Sequence, residues 1–256
     1  MDKIKATILG SGTCVPSLTR SACSVLAECG QHRLVFDTGP GTMHRLLEAG
    51  VTIFDVTAIF YSHLHPDHTA ELVPFLFATK YPGTHRRRVP LKIIAGKGFS
   101  HFFNGLVSVY GEWIMLDDGM VEIVELDITK PDRYSLDDMP IESAPVDHRE
   151  ESLAYKITGP DGTSLVYTGD TDFSESLIRL SEGADILICE SATPDEKKMP
   201  GHLTPSLAGE IASRAGVKTL VLTHFYPECD KSDIANECRK TYSGKIVLAQ
   251  DLMEIT

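Results

Sequence analysis

Residues 63–68 read His63-Leu64-His65-Pro66-Asp67-His68. Three imidazoles and a carboxylate in so short a segment would repel or desolvate one another without a counter-ion, because burial penalises each charged form. A divalent cation resolves the conflict, since neutral imidazole nitrogen and carboxylate oxygen are its ordinary ligands. From an extended turn, His63 and His65 can face one cation while Asp67 and His68 face a second position beyond it. A lone buried histidine is satisfied by one backbone carbonyl; four such groups at one strand end are not.

Further candidates lie far away in sequence. Val56–Tyr61 leads into Ser62-His63, and Val217–Leu222 leads into Thr223-His224. Two apolar runs thus each deliver a histidine at the carboxyl end, where ligands gather in open α/β sheets. Asp170 follows an apolar run and a glycine in Tyr167-Thr168-Gly169-Asp170, a place that would also suit a helix cap. His148 closes Pro145-Val146-Asp147-His148, with a surface histidine as the alternative. His202 sits just before Leu203-Thr204, where an ordinary loop residue is the competing reading.

Strands and helices must hold these residues. Lys5–Leu9, Ser24–Glu28, Arg33–Phe36, Val56–Tyr61 and Leu91–Ala95 read as strands from their apolar or alternating pattern. Thr42–Ala49 reads as a helix stopped by Gly50. Ala70–Tyr81 reads as a helix with a broad apolar face, and Pro74 predicts a kink or a late start. Residues 101–140 are less legible, with a strand at Val121–Leu126 and an acidic loop around Asp137-Asp138. Beyond them, Leu153–Ile157 and Ser164–Tyr167 form a hairpin across 159–162, and Ser174–Ser181 is a short helix. Ile186–Cys189, Leu220–Leu222 and Ile246–Leu248 are buried strands. Thr204-Pro205 starts a helix as N-cap and N1, and Gly216 closes it. No composition shift marks a boundary, so residues 1–256 are read as one domain.

The HxHxDH segment, the Leu9-Gly10-Ser11-Gly12-Thr13 opening, the Asp37-Thr38-Gly39-Pro40-Gly41 turn, Tyr167–Asp170, Thr223-His224 and Leu248–Asp251 together resemble the metallo-β-lactamase superfamily. The resemblance runs the length of the chain and implies an α/β fold, an αβ/βα sandwich of two mixed β-sheets with helices on the outer faces. Within the superfamily the chain is most similar to the ribonuclease Z-like phosphodiesterase branch, on Asp37–Leu47, Pro90–Gly98, and Glu190–Thr193 followed by Gly201-His202-Leu203-Thr204. Carried over residue by residue, the resemblance implies two divalent metal ions. His63, His65 and His148 would hold the first; Asp67, His68 and His224 the second; Asp170 would bridge. Zinc suits this donor set, and manganese or iron also fits. A hydroxide shared by the metals would attack, with Asp67 orienting it or taking its proton. His202 would act as general acid, oriented by Glu190, and Asp37 would hold a ligand histidine in its tautomer.

Charge and composition limit the partners. A formal net charge of −12 argues against an extended nucleic-acid footprint, which needs a basic face. The local exception is His85-Arg86-Arg87-Arg88, read as a solvated basic loop, with a patch for a phosphate-bearing substrate as the alternative. Transfer-RNA-processing members of the branch carry a glycine- and proline-rich arm that, in the bacterial form, lies between the positions of His148 and Asp170. Here residues 149–169 suffice for a hairpin only. The expected substrate is therefore a small phosphodiester or nucleotide rather than structured RNA. Competing functions are a ribonuclease Z-type RNA 3′ endonuclease, a hydrolase of lactones or thioesters, and a non-catalytic metal-binding protein. The six cysteines lack a CxxC pair and read as reduced thiols, with a thiolate site at Cys14, Cys23 and Cys29 as the lesser alternative. No apolar run is long enough to span a bilayer, no signal-peptide core is visible, and a cytoplasmic location is expected. A homodimer through the apolar helix near Leu72–Phe77 is one expectation, with that face as core the equal alternative.

Overall fold

The computed structural model describes residues 3–83 and 85–255. In chain order the elements are β1 (Lys5–Gly10), β2 (Ser24–Cys29), β3 (His32–Phe36), α1 (Thr42–Glu48), β4 (Ala58–Phe60), α2 (Pro66–Thr69), α3 (Leu72–Lys80), β5 (Leu91–Gly96), α4 (Phe99–Tyr110) and β6 (Val121–Leu126). The second half follows with β7 (Asp132–Leu136), β8 (Met139–Pro145), β9 (Leu153–Thr158), β10 (Ser164–Tyr167), α5 (Glu175–Leu180), β11 (Ile186–Glu190), α6 (Pro205–Ala215), β12 (Thr219–Thr223), α7 (Ile234–Arg239), β13 (Lys245–Leu248) and β14 (Glu254–Ile255).

The strands form two mixed sheets, in the orders β14-β1-β2-β3-β4-β5-β6 and β13-β12-β11-β10-β9-β8-β7. Side-chain alternation explains how the sheets are covered. Leu34 and Phe36 of β3, with Ala58 and Phe60 of β4, join the core shared with the second sheet, while Val35 and Ile59 face Leu46, Leu72, Phe75 and Leu76 of the outer helices. The helices α5, α6 and α7 bury Leu177, Ile211 and Cys238 against the second sheet. This is the expected sandwich with helices outside.

Most local expectations hold, with shifted ends. The strand expected over Val56–Tyr61 is confined to Ala58–Phe60, and the metal motif itself contributes the one-turn α2. Pro74 causes no kink, because α3 begins at Leu72 and the proline lies in its first turn, where no intrahelical N–H is lost. Of the apolar helix considered for dimerisation, Leu72, Phe75 and Leu76 are core, while Phe77 is exposed. Thr204 takes an extended N-cap conformation, though without a side-chain capping bond. The stretch 101–140 holds most of α4 and the β7–β8 hairpin, whose turn is the acidic Asp137-Asp138 pair, with Asp137 at φ 52°.

The basic run is solvated as expected at His85, Arg86 and Arg88, and departs from expectation at one residue. Arg87 is buried, and its guanidinium donates to the carbonyls of Val56 (2.7 Å) and Ile53. It thereby anchors the loop entering β4, at the end of that strand opposite His63. None of the six cysteines forms a disulfide, and five are buried; burial pushes the Cys23 thiol up to about 12, which excludes a ready thiolate there. Among the described residues no helix is long and apolar enough to cross a membrane.

Candidate metal centre

Parallel pairing brings the predicted residues together. The strands β3 and β4 run parallel, as do β10, β11 and β12. Their carboxyl ends therefore open on one edge of the sandwich. Asp37 follows β3, the HxHxDH segment follows β4, Asp170 follows β10, Glu190 ends β11 and His224 follows β12. His148 arrives from β8, which is antiparallel to β9 as β9 is to β10, so it points the same way. The sheets are tied at this edge by Leu153 N donating to Ser62 O at 2.9 Å and by Tyr155 OH donating to Tyr61 O at 2.7 Å.

The backbone is bent to serve this edge. His224 and Asp37 adopt φ of 60° and 58°, a region that costs a non-glycine residue about 1–2 kcal/mol. Gly169, at φ 58°, has no space for a side chain: a Cβ there would lie 2.2 Å from that of Ser62. The contact lets the Asp170 loop close over the histidine motif.

All seven predicted metal-binding side chains converge. His63, His65, His148 and Asp170 form one group, and Asp67, His68 and His224 another, with potential ligand atoms within 4.8 Å of each other in each group. Asp170 lies between the two. Its Oδ1 is 3.2 Å from both His68 Nε2 and His224 Nε2, and its Oδ2 is 3.7 Å from His63 Nε2 and 3.8 Å from His148 Nε2. Asp67 Oδ2 stands 3.9 Å from His224 Nε2 and 4.0 Å from His68 Nε2.

The protein alone does not satisfy these atoms. His63 Nε2, His68 Nε2, His224 Nε2 and Asp170 Oδ1 are buried without hydrogen-bond partners. Buried polar groups are rarely left so, and four at one place are what a cation site leaves in the protein alone. His65 Nδ1 and His148 Nε2 meet at 3.2 Å. Because His148 Nδ1 donates to Gly201 O at 2.8 Å, its Nε2 presents a lone pair. The donor set fits divalent metal.

The electrostatics separate the histidines. Burial and the neighbouring His68 hold His63 far below the usual histidine range, so it is neutral and able to ligate. Burial also lowers His65 and His148. His68 is raised: burial opposes its charge, but Asp170 and Asp37 outweigh it. Burial likewise opposes the Asp170 carboxylate, and His224 and His68 nevertheless hold it well below the usual range.

His202 stands beside the group. Its Nδ1 lies 3.0 Å from Glu190 Oε1 and 3.9 Å from Asp170 Oδ2. Glu190 is fixed by N–H donors from Thr171 (2.8 Å), Leu203 (3.1 Å) and Ala192 (3.2 Å). Burial depresses the His202 pKa, but the Glu190 hydrogen bond and charge outweigh it and raise the imidazole above its ordinary value. His68 Nδ1 bonds Asp37 Oδ2 at 2.7 Å, in line with the tautomer-holding role expected of Asp37. Sequence reading missed Ser62 and Tyr167, which also bond Asp37, and the Gly201 carbonyl on His148. Only their position beside predicted residues could have signalled them.

Comparison with known proteins extends the geometry. The sequence profile of the beta-lactamase superfamily domain matches residues 32–225. A ribonuclease Z from Mycobacterium sp. (strain KMS) is 28% identical over 276 positions, covering 98% of this chain and 95% of that protein. The metallo-beta-lactamase fold protein YhfI from Bacillus subtilis is similar with a TM-score of 0.84 at 25% identity, covering 100% of this chain and 99% of the other. The short form of human tRNase Z gives a TM-score of 0.78 at 26% identity, covering 98% of each chain. By its fold, its clustered histidines and these likenesses, the chain belongs to the metallo-β-lactamase superfamily, in the ribonuclease Z-like branch.

Proposed function

We propose that the protein is a dinuclear metal-dependent phosphodiesterase acting on a small phosphodiester or nucleotide. His63, His65 and His148 would hold one divalent cation and Asp67, His68 and His224 the other, with Asp170 lying between the two groups. A histidine-rich set with two carboxylates favours zinc, and accepts manganese or iron. When bound, the cations supply Lewis-acid stabilisation of phosphoryl charge and acidify water for attack at neutral pH. Asp67 is only partly buried, so it can orient the attacking water and take its proton.

The observation that carries the phosphodiester reading is the His202–Glu190 pair. With Nδ1 bonded to Glu190, His202 has Nε2 left to hold a proton for the leaving oxygen. An alkoxide leaves poorly without that proton, whereas a thiolate does not need it, so the pair is better suited to a phosphodiester than to a thioester. The positive imidazolium also complements the charge that builds on a phosphoryl group.

A ribonuclease Z-type RNA 3′ endonuclease is the second reading, favoured by the 28% identical relative of that name. Two features weigh against it. Residues 149–169 are largely spent on β9, its turn and β10, and the net charge is −12. The relative's aligned span of 276 positions exceeds the 256 residues here, so it carries residues without counterpart in this chain. The distinguishing experiment supplies the metal-loaded protein with cyclic nucleotides and dinucleotides, and separately with precursor transfer RNA bearing a 3′ trailer. Turnover of the small diesters alone is expected; trailer cleavage with no action on the small diesters would give the site to the second reading.

A further inference from the structure

Asp37 and Ser62 stand outside the seven clustered side chains, yet both are buried directly behind them. Ser62 N donates to Asp37 Oδ1 at 2.8 Å. On the other oxygen, Oδ2, three groups converge at 2.7 Å each: Ser62 Oγ, His68 Nδ1 and Tyr167 OH. Four donors surround one carboxylate that water does not reach, and Asp37 is the acceptor in every one of these contacts.

This accounting fixes protons further out. The Ser62 hydroxyl hydrogen is used on Asp37, so Ser62 Oγ must accept in its contact with His63 Nδ1, 3.0 Å away. His63 therefore carries its proton on Nδ1 and presents the Nε2 lone pair. His68 has its Nδ1 proton committed to Asp37, so Nε2 is the atom it turns toward the cluster and the one left to ligate. These are the same two Nε2 atoms that lack partners in the protein.

We infer that Asp37 sets the ligating tautomer of one histidine at each metal position, His68 directly and His63 through Ser62, making Ser62 a positioning residue for the first position only. This rests on the dinuclear reading above. Tyr167, reaching across from the second sheet, holds the carboxylate in register, so the hub also ties metal binding to the packing of the two sheets. Partners of this kind typically change metal affinity by about 10–100-fold when removed.

The test is competition for zinc between the protein and a chromophoric chelator, read as two stepwise affinities. The variants are Ser62→Ala, Asp37→Asn and Tyr167→Phe, with urea unfolding of each metal-free protein in parallel. Ser62→Ala is expected to weaken one affinity by about 10–100-fold and leave the other within about threefold. Asp37→Asn should weaken both, and if that buried change prevents folding, Tyr167→Phe should still weaken both to a smaller degree. Equal affinities in Ser62→Ala and wild type, whatever the change in urea midpoint, would overturn the inference while leaving the dinuclear reading intact. A wild-type chain binding fewer than two zinc ions would overturn that reading and this inference with it.

Discussion

The two halves of the molecule supply the metal centre in different ways. The first sheet delivers His63, His65, Asp67 and His68 from one segment after β4, ordered by the single turn of α2. The second sheet delivers His148, Asp170, Glu190 and His224 from four strand ends, and His202 from the loop before α6. The first contribution is local, and its geometry survives wherever that segment folds. The second exists only once β8 to β12 have paired. Asp170 is the point of contact, since its two oxygens face histidines of both halves. The chemistry is thus placed on the seam between the sheets, where correct packing of both is a precondition for binding.

The largest effect should follow from breaking that seam. Asp170→Ala removes the shared carboxylate and should reduce phosphodiester turnover to the level of chelated protein, with bound metal by elemental analysis falling below two per chain. A wild-type metal content in this variant would mean that the halves bind independently. Next, His202→Ala should lower kcat about 10²–10⁴-fold with metal content unchanged, because it removes a proton donor and no ligand. Loss of metal there would instead make His202 a ligand, as its place near Asp170 and His224 permits.

A smaller effect is expected on the second-sheet side from Gly201→Ala. Gly201 has φ 80°, and a Cβ would approach His148 Nδ1 to 3.1 Å. Strain of about 1–2 kcal/mol should displace His148 and weaken one zinc affinity by roughly tenfold, measured by chelator competition. Arg87→Met tests the far end of the first sheet. Two backbone carbonyls lose their buried partner, so the urea midpoint should fall by the equivalent of about 1–3 kcal/mol while kcat stays unchanged. A drop in kcat on small diesters at full metal loading would return the basic run to the substrate side.

Legibility in sequence followed the same division. The HxHxDH segment needed no topology, because four mutually incompatible groups within six residues already demand a cation. His224 was visible as a histidine delivered by a buried strand. Asp170, His148 and His202 gained weight chiefly from the family resemblance, since nothing local distinguishes them from a cap, a surface histidine or a loop residue. Most of the α4 helix and the β7–β8 hairpin escaped for a physical reason. Only Phe99 of α4 is fully buried, and Gly105 with the β-branched Val107 and Val109 lowers its helix propensity. In β7, Leu136 alone is buried, and the alternation rests on Tyr134 and Leu136 only, too few apolar residues to read as a strand. Arg87 misled because a run of arginines reads as solvated, and only the fold offers carbonyls that draw one of them inward. Ser62 escaped because a serine gains its role from where an aspartate 25 residues away places its oxygens.

The most direct test of the central claim is hydrolysis of bis(p-nitrophenyl) phosphate by the purified protein, loaded with zinc or manganese and compared with chelated protein. Metal-dependent turnover that disappears in His65→Ala is the predicted result. Absence of turnover in protein shown to carry two metals per chain would contradict phosphodiester cleavage and move the search to lactones and thioesters.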